Sequence, residues 1–135
     1  MTWTGMVRAA ALLGLVLLGT GGTVVWAQQA GMRRTELQRH DLSVPGREAL
    51  QVRVEFDPGH GIPQHTHPGE ELIYILEGTI EYRIEGRPPA MLTAGQAAMI
   101  PAGAVHSARN AGSGVVAALS TYVVEKGKPL MTPVK

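Results

Sequence analysis

The segment 63–71, PQHTHPGEE, contains residue types that can bind a metal ion. His65 and His67 are two positions apart, and on a strand such residues point to the same face with Cα atoms about 6–7 Å apart. Their imidazole nitrogens can then both lie about 2.0–2.2 Å from a single ion. By itself the pair does not distinguish a metal site from two solvated loop histidines, so the following residues decide.

A carboxylate, Glu71, follows His67 by four positions. The intervening Pro-Gly turn can bend the chain back so that this carboxylate rejoins the face of the two histidines. On the following strand Glu71, Ile73 and Ile75 share one face, where an unpaired ionised carboxylate costs several kcal/mol to bury. A cation is the simplest compensation. Glu70 has the opposite parity and is predicted to be solvated.

A third histidine, His106, lies in the downstream segment GQAAMIPAGAVHSARN. A lone histidine at such a place is usually a packed or capping residue. The pattern around it is therefore more informative than the residue itself.

The two segments together resemble the cupin superfamily. The first cupin motif, G-x5-H-x-H-x3,4-E-x6-G, is matched by Gly59, His65, His67, Glu71 and Gly78. The second, G-x5-P-x-G-x2-H-x3-N, is matched by Gly95, Pro101, Gly103, His106 and Asn110. All ten defined positions fit, over residues 59–110. Within the superfamily, the chain is most similar to small single-domain bacterial cupins of the quercetin dioxygenase-like type.

The resemblance implies an all-β, single-domain jelly-roll (cupin) β-barrel of six or more strands, in which each motif forms one hairpin. It carries His65, His67, Glu71 and His106 over as metal ligands. It also implies that the motif glycines are turn residues where a Cβ would clash, and that Asn110 has a structural role.

Three imidazoles and one carboxylate suit one divalent transition metal ion, namely Fe, Mn, Ni, Zn or Cu, and do not suit Cu(I) or an iron–sulfur cluster. On an octahedral ion these ligands leave two positions for water, O2 or substrate, which is typical of a catalytic site. An aliphatic lining that excludes water is expected from Ile73, Ile75, Met91, Met99 and Ile100.

Composition excludes several classes of protein. The chain has no cysteine, which rules out disulfides, thiolate metal sites and cysteine nucleophiles. The formal net charge is +1, and no run of like charges exceeds two residues, so a nucleic-acid surface is not expected. A length of 135 residues suits one domain.

The N-terminus has the pattern of a secretory signal peptide. Arg8 precedes a short apolar stretch, and a V-x-A pattern ends at Ala27, so residues 1–27 are predicted to be cleaved on export. The less favoured alternative is a membrane anchor spanning residues 9–27, which would be the only contact with a membrane. Either way the domain is predicted to be periplasmic or secreted.

The rest of the chain divides into three parts. Residues 28–48 are expected to form a mostly irregular lead-in with an edge strand near Glu36–His40, residues 49–125 the barrel, and residues 126–135 an extended tail. Alternation in QVRVEF and TIEYRI predicts half-buried strands. The continuous apolar runs LIYILE and VVAALSTYVV predict strands covered on both faces, with Tyr74 packed between sheets.

Two functions remain open. One is a metal-dependent enzyme, of the dioxygenase or isomerase type, acting on a small oxygen-rich substrate; no catalytic residue is assigned. The other is a non-enzymatic periplasmic module that binds a metal or a small ligand. The apolar run at 115–124 favours a homodimer.

Overall fold

The computed structural model describes residues 29–135. The predicted signal peptide or anchor within residues 1–27 lies outside the described residues. The regular secondary structure within residues 29–135 consists entirely of β-strands. No helix in this range is long and apolar enough to cross a membrane.

The strands form two antiparallel five-stranded sheets. One sheet has the order β1-β2-β9-β4-β7 and the other β10-β3-β8-β5-β6. In chain order the strands are β1 Met32–Asp41, β2 Arg47–Phe56, β3 Gly61–Thr66, β4 Gly69–Glu77, β5 Thr79–Ile84, β6 Ala90–Thr93, β7 Ala97–Ile100, β8 His106–Asn110, β9 Val116–Glu125 and β10 Thr132–Pro133. The predicted all-β jelly roll is confirmed.

The core lies between the sheets and is built from alternate residues of each strand. β2 has the expected alternation, with Leu50, Val52, Val54 and Phe56 all buried. The most deeply buried aliphatic side chains are Ile75 and Ile80, which have no exposed surface. These inward residues supply most of the apolar area that stabilises the fold.

The prediction that both faces of LIYILE are covered is wrong. Leu72, Tyr74 and Leu76 point to the outer face of β4 and are 40–47% exposed, so Tyr74 does not pack between the sheets. An antiparallel sheet can expose one face to solvent, and a continuous apolar run does not reveal which face that is.

The lead-in is far more regular than predicted. β1 occupies ten residues and pairs along its length with β2, interrupted by a bulge between Glu36 and Gln38. Its sequence is polar because it is an edge strand, and charged side chains there prevent pairing with other chains. Strand character in such a segment comes from its partner, which the local sequence does not show.

The tail also belongs to the barrel. Thr132 and Pro133 pair with β3, and the preceding Leu130 and Met131 pack against the core. Apart from this two-residue strand, residues 126–135 contain no helix or strand, so the expected extended tail is present but attached to the barrel.

The two motifs do not form two hairpins as the resemblance implied. β3 pairs with β8 and β10, whereas β4 pairs with β7 and β9. Each motif therefore begins on one sheet and ends on the other, and its side chains reach the interior from both sides.

Candidate metal centre

The structure brings the four predicted ligands together between the two sheets. His65 on β3 and His106 on β8 are direct cross-strand partners. His67 lies just beyond the end of β3, and Glu71 reaches the same interior from β4. All four side chains are buried, with exposures of 2–5%.

The distances within this group are those of side chains that face one common point. The ring centroids of the three histidines lie 4.2–5.0 Å apart. One candidate ligand atom from each ring lies within 4.8 Å of the others. Glu71 Oε2 lies 3.2 Å from His67 Nε2 and 3.3 Å from His106 Nε2.

Backbone carbonyls hold all three rings in the same tautomer. His65 Nδ1 lies 2.8 Å from Pro63 O, and His106 Nδ1 lies 2.9 Å from Ala104 O. His67 Nδ1 lies 2.6 Å from the carbonyl of Leu130 in the tail. Since a carbonyl oxygen can only accept, each Nδ1 must donate, and each neutral ring then has a lone pair at Nε2.

These Nε2 lone pairs are the observation that fits a metal ion. The Nε2 atoms of His67 and His106 are buried, and neither has a hydrogen-bond partner within residues 29–135. In the neutral form their lone pairs face the oxygens of Glu71, an arrangement that needs a shared proton or a cation. Carbonyl-oriented imidazoles of this kind are usual among metal ligands.

At neutral pH, the pKa values of His65 and Glu71 favour the forms of these two side chains that bind a cation. Burial lowers the pKa of His65 to about 4, so its ring is neutral. Burial alone would raise the pKa of Glu71, but the contacts with His106 and His67 lower it below its usual range. His65 therefore offers a neutral nitrogen, and Glu71 an ionised carboxylate.

A narrow cleft with an enclosed volume of about 20 Å³ lies beside this group and opens toward solvent. Polar residues that sequence analysis did not identify contribute to its wall: Arg34, Tyr82, Ser120 and Tyr122. Burial raises the pKa of both tyrosines well above the usual value, and the charge of Glu71 adds to the effect. Both phenols therefore keep their protons at neutral pH.

The missed residues come from strands whose pairing the sequence does not show. Tyr122 on β9 lies directly opposite Glu71 on β4. Ser120 lies two positions earlier on the same face, and its hydrogen bond to Glu71 helps to lower the pKa of that carboxyl. Alternation in β9 could have placed the two on one face, but only the strand order places that face beside Glu71.

The predicted aliphatic lining is partly wrong. Met91 and Met99 are 51% and 54% exposed, so neither shields the site. Ile73, Ile75 and Ile100 are buried as expected, as part of the core. The apolar residues that border the cleft are instead Val54, Phe56, Ile62 and Ala108.

The motif glycines are turn residues, but mostly for a different reason from the one expected. Gly59, Gly78, Gly95 and Gly103 all have a positive φ, between 70° and 88°. A Cβ would crowd neighbouring backbone only at Gly78, where it would lie 2.9 Å from Val115 O. At the other three the backbone conformation alone favours glycine.

Comparison with known proteins agrees with this architecture. The cupin domain family matches residues 52–122, more than half of the chain. The chain belongs to the cupin family. In overall fold this cupin is similar to a cupin-like protein from Thermotoga maritima, with a TM-score of 0.65 and 20% identity over 76% of this chain and 75% of that one.

Two curated relatives are similar in sequence. Germin-like protein 1-1 of Oryza sativa subsp. japonica is 34% identical over 59% of this cupin and 41% of its own length. Dimethylsulfoniopropionate lyase DddQ of Ruegeria pomeroyi is 43% identical over 46% of this cupin and 31% of its own length. The solved structure of the lyase superposes with a TM-score of 0.58 and 28% identity, over 64% of this cupin and 43% of that chain. This cupin spans less than half the length of these relatives.

Proposed function

We propose that this protein is an exported, metal-dependent cupin enzyme that acts on a small oxygen-rich substrate. The observation that carries the proposal is the convergence of three Nδ1-anchored imidazoles and the Glu71 carboxylate beside a cleft. His65, His67, Glu71 and His106 would hold one divalent transition metal ion. Fe, Mn, Ni, Zn and Cu all suit this donor set.

A bound ion would supply Lewis-acid or redox chemistry to a substrate oxygen. The residues of the chain have separate tasks. Ser120 holds Glu71 in place, and the apolar wall at Val54, Phe56 and Ile62 limits access of water. The phenol of Tyr82 can donate a hydrogen bond to a substrate oxygen within the cleft, whereas that of Tyr122 is hydrogen-bonded to Glu71.

The relatives support an enzyme rather than a β-barrel without catalytic activity. One of them is named as a lyase of dimethylsulfoniopropionate, a small organic carboxylate. A dioxygenase, an isomerase or a lyase would each act here on a small substrate bound beside the metal ion. The location in the periplasm or outside the cell rests on the N-terminal sequence pattern alone.

The test starts with the purified full chain and its metal content. The loaded protein is then assayed against small carboxylates and dihydroxy compounds, with products followed by NMR and O2 uptake by electrode. We expect turnover of at least one compound, and its loss in His106→Ala. Consumption of O2 would indicate a dioxygenase, and turnover without O2 a lyase or isomerase.

The same experiment tests the alternative of a non-enzymatic metal- or ligand-binding module. A protein that retains one divalent ion per chain yet turns over no compound of the panel would favour that module. A folded protein that binds no divalent ion would overturn the enzyme and the metal-binding module, and would leave only a module that binds a small ligand.

A further inference from the structure

Arg34 places a positive charge on the wall of the cleft. It follows the buried Met32 by two positions on β1, so it shares the inward face of that strand. Its side chain borders the cleft together with His65, Glu71 and His106. Tyr122 borders the same cleft, and the charge of Arg34 opposes the rise that burial causes in the pKa of this phenol.

The position of Arg34 is also fixed from the tail. Its Nη2 donates a hydrogen bond of 3.5 Å to Met131 Sδ. Arg34, Glu36, Tyr122 and Met131 also border a small adjoining cavity of about 10 Å³ that extends to His67 and Leu130. The guanidinium therefore stands between the space beside the candidate metal ligands and the space under the tail.

The chemistry of these contacts favours an anionic ligand. A thioether sulfur is a weak acceptor, whereas a carboxylate accepts charge-assisted and often bidentate hydrogen bonds from arginine. A carboxylate that enters the cleft therefore offers Nη2 a stronger acceptor than Met131. The hydroxyl of Tyr82 lines the same cleft and can donate to a remaining oxygen lone pair.

The charge balance points the same way. Glu71 alone would repel an anion, but three neutral imidazoles and one carboxylate around a divalent cation leave a net positive charge. Arg34 adds to that charge on the same cleft. A neutral molecule of the same shape gains much less from it, because its hydrogen bonds to the guanidinium are not assisted by a negative charge.

We propose that Arg34 determines the specificity of this site by pairing its guanidinium with the carboxylate of a small organic acid. The inference rests on the proposed function, because it names the class of substrate for the same cleft. It assigns a binding residue that lies outside both cupin motifs.

The test compares propionate with propionamide, which have nearly the same shape and differ in charge. Binding of each is measured by calorimetry on the full chain loaded with Zn(II). We expect the wild type to prefer propionate, and Arg34→Gln to weaken propionate binding at least about tenfold while leaving propionamide unchanged. Arg34→Lys should keep part of the preference for propionate, since lysine retains the positive charge but cannot form the bidentate hydrogen bonds of a guanidinium.

Arg33→Gln is the matched control. Arg33 is the neighbouring residue on the opposite face of β1, where it pairs with Asp57 at 3.0 Å and Glu55 at 3.6 Å. It should keep the wild-type preference for propionate. Equal loss in both variants, an unchanged preference in Arg34→Gln, or a wild type that binds the amide as tightly as the acid would each overturn the proposal.

Zn(II) affinity separates this inference from the proposed function. Arg34→Gln should keep the wild-type affinity for Zn(II), whereas His106→Ala should lose it. A wild type that binds no Zn(II) would overturn the proposed function, whereas a wild type that binds Zn(II) without a preference for propionate would overturn only the role of Arg34.

Discussion

At the level of single residues, the candidate site depends on which of two adjacent carboxylates faces the interior. Glu71 is 5% exposed and lies against His67 and His106, whereas Glu70 points to the other side of β4. Strand parity in the sequence predicts this difference, and the structure agrees.

Replacing Glu71 by Gln should weaken divalent metal binding at least about tenfold, because the site loses its only anionic donor while keeping its shape. The matched variant Glu70→Gln should bind metal like the wild type. Competition against a metal-sensitive dye measures both affinities. Equal losses of metal affinity in the two variants would contradict the assignment of Glu71, and not Glu70, as the ligand.

The sequence predicts the candidate ligands well because they are local in two short motifs. Arg34, Ser120 and Tyr122 could not be found in the same way, since they reach the cleft only through the pairing of β1, β2, β9 and β4. Met91 and Met99 show the opposite error. They are apolar and close to the motifs in sequence, yet they lie on outward faces.

At the level of elements, Asn110 secures the end of β8. Its Nδ2 donates to Phe56 O at 3.0 Å and to Gly114 O at 2.7 Å, and its Oδ1 accepts from Gly112 N at 2.8 Å. The side chain is 2% exposed, and it ties β8 both to the end of β2 and to the following turn. This agrees with the structural role that the resemblance implied.

Replacing Asn110 by Ala should lower the free energy of unfolding by roughly 2–3 kcal/mol, because buried backbone groups would lose their partners. Ser113→Ala, at an exposed position in the same turn, is the control and should change stability little. Urea unfolding measures both. A loss below about 0.5 kcal/mol for Asn110→Ala would contradict the structural role.

Alternation in QVRVEF and TIEYRI was enough to predict β2 and β5, because each strand has one buried face. β1 was predicted too short and β10 was not predicted, since edge strands of this kind carry no strong hydrophobic pattern of their own. The crossing of each motif between sheets also has no signature in the sequence, because it depends on which strands pair.

For the whole molecule, a shared ion would join the two sheets. His65 and His106 belong to one sheet and Glu71 to the other, so a ligand bound by all three crosslinks the sandwich. Binding to the folded state alone stabilises it by about 2.7 kcal/mol when the ion is present at 100 times its dissociation constant.

Removal of the metal by a chelator should therefore lower Tm by at least about 5 °C, and readdition of the ion should restore it. Differential scanning calorimetry measures the shift. His106→Ala serves as the control and should melt at the same temperature with and without chelator. A wild-type Tm that does not respond to the chelator would argue against an occupied site.

The homodimer remains a prediction. The exposed Leu72, Tyr74 and Leu76 on β4, next to Met99 on β7, form an apolar strip on the outer face of one sheet. The sequence had instead pointed to β9, which lies inside that sheet between β2 and β4.

The contact between His67 and Leu130 has a consequence for the order of assembly. All four candidate ligands are present once synthesis has passed residue 106, but the carbonyl that fixes the ring of His67 comes 24 residues later. A chain truncated just before residue 130 would keep the four side chains but lose the acceptor that fixes the ring of His67. Tight binding of the ion should therefore require the docked final segment.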